Sequence, residues 1–319
     1  MKPSALEYFV CPSCKDGLDL RVETTEGGEV IAGGLLSRGC GREYPIVGGV
    51  PRFVDSQAYA SSFGFQWNRF ARVQLDSFNG TRQSEEALEA TTGWKGVDYE
   101  GKLVLDAGVG AGRYAEIVAA KGGEVIGIDL TTAVDAAWES IGRRERVHLA
   151  QADIFAMPLR EASFDRAYSI GVLHHTPDTR AAFERVAAMV KPGGGLAVYL
   201  YARNGLAQRF PDAIRKITTR LPVRAMLAIS SLAVPLYYPY RVPRVGRMLY
   251  TLCPISMHAD WRWRWLDTFD WYTPHYQWKL LYPEVFRWFR ENGFRDVEIF
   301  EGPIRMRGLK AAADAPAAN

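Results

Sequence analysis

Residues 104–117, VLDAGVGAGRYAEI, read as a short apolar strand, a glycine-rich turn and the start of a helix. Val104 and Leu105 are buried-strand residues. Gly108, Gly110 and Gly112 let the backbone turn sharply with no Cβ in the way. The following Arg-Tyr-Ala-Glu-Ile run restores a helical pattern. Loops of this kind carry backbone N–H groups to a helix start, where a cofactor can approach them. The spacing here is G-x-G-x-G, whereas the dinucleotide fingerprint is G-x-G-x-x-G with an acid about 20 residues on. Arg113 occupies the position that fingerprint requires as glycine. A bulky side chain there weighs against close approach by a pyrophosphate. Asp106 places a carboxylate beside the turn, which suits a cationic ligand better than a phosphate.

The sequence around this stretch alternates strand and helix. KLVLDAG, EVIGIDL, RVHLAQAD, SFDRAYSIGVLHH and GLAVYLY are strands. GRYAEIVAAKG, AVDAAWESIG and TRAAFERVAAMVKPGG are helices, the last expected to end at Pro192 and Gly193. The pattern predicts an α/β fold with an open, doubly wound parallel sheet and helices on both faces. Ligands of such sheets bind at the carboxyl ends of the strands. Asp106, Asp129 and Asp153 each stand at such an end, with Asp129 lying 21 residues after Gly108. Any one of these acids is also compatible with a strand-end or turn cap.

Taken together and in this order, Asp106-Ala-Gly-Val-Gly-Ala-Gly112, the GIDL acid Asp129, the QADIFAMPL acid Asp153, FDRAYSIGVLHHTPD and VKPGGGLAV resemble the class I S-adenosylmethionine-dependent methyltransferases. Val109 stands where that family usually has a smaller residue or Cys. The resemblance implies a mostly parallel, seven-stranded Rossmann-like sheet and S-adenosylmethionine as cofactor. It implies that Asp129 accepts from the ribose hydroxyls, that Asp153 accepts from the adenine amino group and that Ile154 packs on the ring. Gly108 would let the backbone approach the methionine part, and Asp106 would lie near its amino group or the sulfonium. Arg113 either contacts the carboxylate or braces the loop. Ala107, Gly110, Leu130, Ser169 and Gly171 complete the implied cradle. Gln66 and Trp67, in FGFQWNRF, resemble the helix that covers the cofactor ahead of the sheet in such enzymes.

Methyl transfer needs position above all, and a base only where the acceptor must lose a proton. His174 and His175 in LHHTPD are two of only five histidines; they either supply a base or line the pocket. The LDTFDWYTPHY segment (266–276), whose Asp270, Trp271, Tyr272 and His275 could reach over the site, adds Tyr272 as a candidate catalytic group. With Tyr201, its Trp271 and His275 are candidate substrate contacts, and packing in a lid is the alternative reading of these aromatics.

Four segments follow. Residues 1–55 form a small β-rich module, 56–101 a helical connector covering the cofactor and 102–310 the catalytic domain, with a lid insertion at 203–275. Residues 311–319 are a disordered tail. The first module carries Cys11-x-x-Cys14 and later Ser37-x-x-Cys40 before YPIVGGVPRF. It resembles the zinc-ribbon-like module of the Trm112 family, whose C-x-x-C…C-x-x-C pattern here has Ser37 in place of the third cysteine. Cys11, Cys14 and Cys40 thus make an incomplete zinc site, because structural zinc takes four ligands.

The lid carries eleven Lys and Arg residues between 203 and 264 against Asp212 and Asp260, in a chain whose net charge is only +3. A basic, aromatic lid suits a hydrophobic or anionic small-molecule acceptor, and also a peripheral contact with an anionic membrane surface. No stretch is long and apolar enough to span a bilayer, which needs about 20 apolar residues. The chain has no signal-peptide pattern, and reduced cysteines fit a cytoplasmic setting. The leading expectation is a methyltransferase acting on a small molecule in bacterial biosynthesis. The alternatives are an rRNA-type methyltransferase, against which the modest charge argues, and a non-catalytic cofactor-binding or partner-activating protein.

Overall fold

The computed structural model describes residues 1–54, 60–203 and 209–312. Its first unit is an antiparallel meander of four strands: β1 (Leu18–Glu26), β2 (Glu29–Ser37), β3 (Glu43–Val47) and β4 (Val50–Pro51). The connector folds as three helices, α1 (Ser61–Arg69), α2 (Asp76–Asn79) and α3 (Gln83–Thr92); residues 55–59 at its start lie outside the described residues.

The second sheet has seven strands. They are β5 (Leu103–Ala107), β6 (Glu124–Asp129), β7 (Val147–Gln151), β8 (Phe164–Ile170), β9 (Val190–Tyr199), β10 (Phe294–Phe300) and β11 (Arg305–Lys310), in the spatial order β10-β11-β9-β8-β5-β6-β7. The five from β5 to β9 pair in parallel, and β10 and β11 pair antiparallel at one end. This is the mostly parallel, doubly wound sheet expected. The order reverses between β5 and β8, so the carboxyl ends of β5, β6 and β8 flank a topological switch point, where such sheets hold ligands.

The crossovers are α4 (Arg113–Ala120), α5 (Ala133–Ala137), which runs on through a π turn at Trp138–Gly142, and α6 (Thr179–Met189). Asp178 caps α6 by accepting from the Ala181 N–H. The helix ends at Met189, several residues earlier than Pro192 and Gly193 imply. The backbone from Val190 is taken by β9, whose pairing with β8 begins at Phe164 opposite Val190. Tertiary pairing here outweighs the local helix pattern.

The insertion after β9 is helical: α7 (Arg209–Thr218), α8 (Val223–Ser230), α9 (Ala233–Tyr240), α10 (Pro243–Leu252) and α11 (Trp261–Tyr272). Residues 204–208 lie outside the described residues. The chain returns through a bridge between Ala202 and Leu280 into α12 (Tyr282–Glu291), β10 and β11. Lys310 is the last residue of β11, and its ammonium donates to the Ala187 and Val190 carbonyls. Residues 313–319 of the expected tail lie outside the described residues.

The amino-terminal meander is welded to the main sheet. Phe9, Leu18, Leu35 and Phe53 belong to one continuous apolar core with Ile126, Ala150, Leu159 and Phe164. Arg52 bridges in parallel to Gln151, and the Phe53 N–H donates to the Gln151 carbonyl. The module thus covers the β7 edge of the sheet, which would otherwise present unpaired backbone groups.

Candidate functional site

The β5–α4 turn is built by its backbone. Gly108 N and Val109 N both donate to the Ile128 carbonyl, and Gly112 N donates to the Val109 carbonyl, each at 2.9 Å. Gly108, Gly110 and Gly112 have φ of 97°, 53° and 90°, a region that disfavours side chains. Gly108 is glycine for a second reason: a Cβ there would lie 2.3 Å from Val172.

Asp129, at the end of β6, accepts from Gly110 N (2.9 Å), Thr131 N (2.9 Å) and Thr131 Oγ1 (2.7 Å). Burial raises its pKa, and the Thr131 and Gly110 donors oppose that rise. The carboxylate is thereby oriented at the lip of a cavity of about 430 Å³. Gly108, Gly110, Arg113, Leu130, Ile154 and Gly171 line it from the sheet side; Gln66 and Trp67 line it from α1; His175 and Tyr201 line it beside the β8 and β9 ends; and Trp271 lines it from α11.

Arg113 braces the wall. Its guanidinium donates to Gln74 Oε1 (2.9 Å) and Ser84 Oγ (3.2 Å) and lies over the Tyr114 and Trp263 rings.

Several expected residues lie off the cavity. Asp106 is 2% exposed and sits behind the turn, accepting from the Tyr168 hydroxyl at 3.0 Å. Burial pushes its carboxyl up to about 7, against the pull of that hydroxyl. Ala107 is buried next to it, and its carbonyl accepts from Ser169 Oγ at 2.7 Å. Asp153 caps the short turn after β7 by accepting from Phe155 N at 2.9 Å.

Tyr272 points away from the cavity because Leu266, Asp267, Asp270 and Trp271 occupy the cavity-facing side of α11. At one hundred degrees per residue the next position lies on the far side. Its hydroxyl donates to the Pro254 carbonyl at 2.8 Å, inside a lid cluster with Met226 and Phe269. His275, beyond the helix end, is exposed and stacks edge-on against Tyr276.

The two adjacent histidines differ. His175 Nδ1 lies 2.8 Å from the Tyr276 carbonyl. A carbonyl only accepts, so Nδ1 carries the proton, and in the neutral ring Nε2 keeps its lone pair. Burial lowers the His175 pKa to about 4, so the ring is neutral near pH 7. His174 is wholly buried, stacks on Tyr201 with centroids 4.0 Å apart, and neither ring nitrogen has a partner among the described residues.

Sequence reasoning missed Gln74 and Asp267, whereas Asp270 was among the residues of the 266–276 segment expected to reach over the site. Both acids line the cavity. Asp267 accepts from Ser256 Oγ (3.1 Å) and Gln74 Nε2 (3.4 Å), and Asp270 accepts from Gln66 Nε2 (3.2 Å). Burial raises their carboxyls to about 7 and about 6, with Asp270's charge adding to the rise at Asp267. The polar helix face of α11, with acids three residues apart, was the available signal.

Two lid cations are structural. Arg215 is buried and donates to the Trp271 and Pro274 carbonyls, and Arg264 donates to three carbonyls and lies over the Tyr237 ring.

At the other end of the molecule, Cys11, Cys14 and Cys40 bring their sulfurs within 4.8 Å of one another. Ser37 Oγ lies 3.3 Å from both Cys14 and Cys40. Burial acts to raise the Cys11 thiol, but hydrogen bonds from Ser37, Tyr44 and two backbone groups outweigh it and bring it down to about 6.

A sequence profile described as a methyltransferase domain matches residues 105–198. The malonyl-[acyl-carrier protein] O-methyltransferase of Pseudescherichia vulneris is 30% identical over 180 residues, covering 56% of this chain and 67% of that protein. A ubiquinone biosynthesis O-methyltransferase of Alkalilimnicola ehrlichii is 33% identical over 108 residues, 33% of this chain and 44% of that protein. The chain thus spans about two thirds of the first relative and less than half of the second. Among solved structures, human N-acetylserotonin methyltransferase in complex with SAM superposes with a TM-score of 0.46 at 19% identity, over 80% of this chain and 58% of that one.

Proposed function

Since the chain belongs to the class I S-adenosylmethionine-dependent methyltransferases, we propose that it transfers a methyl group from S-adenosylmethionine to a small-molecule acceptor of biosynthetic metabolism. The observation that carries this is the Asp129 carboxylate, held by Gly110 N and Thr131 at the lip of the cavity. The donor set fits the cofactor. Asp129, with three acceptor sites taken, keeps one on Oδ2 for a ribose hydroxyl, Ile154 offers an apolar plane, and Gly108 and Gly110 leave the backbone bare. Gln66 Oε1 is buried with no partner among the described residues, an acceptor fit for an ammonium group. The small-molecule acceptor is supported by the named activities of the two curated relatives.

When bound, S-adenosylmethionine supplies an electrophilic methyl on a sulfonium. The chain supplies the rest. Asp129 and the glycine turn orient, and α1 and α11 close over the cavity and exclude water. His175 Nε2, with its tautomer set by the Tyr276 carbonyl, accepts a proton from the acceptor. The Asp270 carboxylate, near its own pKa at neutrality, takes that role where the acceptor approaches from the α11 side.

In the same reading the amino-terminal module is zinc-ribbon-like with a three-thiol site. A hydroxyl is a poor zinc ligand beside thiolates, so the site is a weak one.

Calorimetry with S-adenosylhomocysteine tests the central claim. The wild type binds it well below millimolar. Asp129→Ala weakens binding by tenfold or more, from losing a charged hydrogen bond of about 1.5–3 kcal/mol. Unchanged affinity in a variant that melts normally would sink the assignment of Asp129.

A further inference from the structure

More than half of the large apolar side chains exposed among the described residues lie between Phe210 and Trp261, a stretch of the lid that forms about a sixth of the chain. They follow helix geometry. On α10, Val245, Met248 and Leu252 recur at helical spacing and are 42%, 58% and 42% exposed. On α7, Phe210 and Ile217 lie two turns apart on one face, and both are exposed. Ile229 on α8, Leu232 in the turn after it, and Leu236 and Tyr238 on α9 are exposed as well. A soluble surface scatters such residues singly, and a dense patch marks a partner.

The same helices and the turns between them carry the positive charge. Lys216, Arg220, Arg224, Arg241, Arg244 and Arg247 are exposed, and none is in an ion pair among the described residues. Asp212, the acid of α7, is already paired with Lys279. On α10, Arg244 and Arg247 both lie along one side of the Val245–Met248–Leu252 stripe. Apolar side chains bordered by unpaired cations are the composition of a helix lying in a lipid interface. Free cations match anionic headgroups. No helix of the described residues is long and apolar enough to cross a membrane, so insertion is confined to the interface.

We propose that the outer faces of α7 to α10 dock on an anionic lipid surface. The lid has a second face: α11 carries Asp267, Asp270 and Trp271 into the cavity and packs against α7, α8 and α9. Docking therefore sets the cavity wall one helix layer from the bilayer, in reach of an amphiphile leaving it.

The test is sedimentation with vesicles of phosphatidylcholine alone and of phosphatidylcholine mixed with phosphatidylglycerol. The wild type sediments with the mixed vesicles and stays in solution with the neutral ones. Met248→Glu with Leu252→Glu, and separately Arg244→Ala with Arg247→Ala, each weaken retention about tenfold or more. Both pairs keep the melting temperature and the S-adenosylhomocysteine affinity of the wild type, so the outcome is independent of the cofactor site. Failure to sediment with anionic vesicles overturns the proposal. So does retention that heparin abolishes while the apolar pair leaves it untouched, which would mark a surface for soluble polyanions. Concentration-dependent self-association that the apolar pair abolishes, with no vesicle binding, would assign the face to a second copy of the chain and also overturn it.

Discussion

Asp106→Asn isolates the cost of one buried carboxyl beneath the glycine turn. An unfolded Asp loses its proton near pH 3.9, whereas in the folded protein burial holds Asp106 up at about 7. Between those values the folded state binds the proton and the unfolded state does not, so stability falls as pH rises through the window and levels off above it. Three pH units at about 1.36 kcal/mol each come to roughly 4 kcal/mol. An amide has no proton to lose, and its oxygen can still accept from the Tyr168 hydroxyl. Imperfect pairing of the new NH₂ costs about 1 kcal/mol at every pH and leaves the slope alone. Asp267 and Asp270, also raised, are present in both proteins and cancel in the difference. Urea melts of the cofactor-free protein from pH 4.5 to 8 should therefore show the wild type losing stability relative to Asp106→Asn. The variant should be the more stable of the two at pH 8. Parallel stability curves with equal m-values would refute the argument, because they would mean that Asp106 titrates alike in both states.

Gly108→Ala should be folded but crippled: its φ of 97° and the 2.3 Å approach to Val172 predict about 2–4 kcal/mol of lost stability. A melting temperature equal to wild type would show that the turn relaxes freely. Ser37→Cys should turn the three-thiol cluster into a four-thiolate site; elemental analysis after dialysis should rise to one zinc per chain and the metal should resist weak chelators. Zinc content equal to wild type would mean that Ser37 does not face the other ligands. Asp270→Asn should leave S-adenosylhomocysteine affinity within a few-fold, while removing a carboxyl that titrates at about 6. With an acceptor in hand, its pH–rate profile should lose the acid limb near that value, and an unchanged profile would leave His175 as the base.

The linear pattern of residues was enough to specify the α/β class, the glycine turn and the strand-end acids, while the lid was implied by the family resemblance. Each of the first three is written locally, in apolar periodicity, in glycines where φ is positive, and in carboxylates at or close to the carboxyl ends of strands. Membership of the cavity wall is not local. Asp267 and Asp270 reach it, and Tyr272 does not, because of the rotation of α11 about its own axis, which packing against α1 and the other lid helices sets. Gln74 enters because Arg113 and Asp267, distant in sequence, both bond to it. The end of α6 at Met189 was decided by β9 pairing with β8 rather than by Pro192 and Gly193. The three thiols, 29 residues apart at their widest, meet only because the meander folds Cys40 back over the Cys11 turn. Periodicity names the element; which face of it turns inward is settled by long-range packing, where one helix rotation exchanges a cavity wall for a lid core.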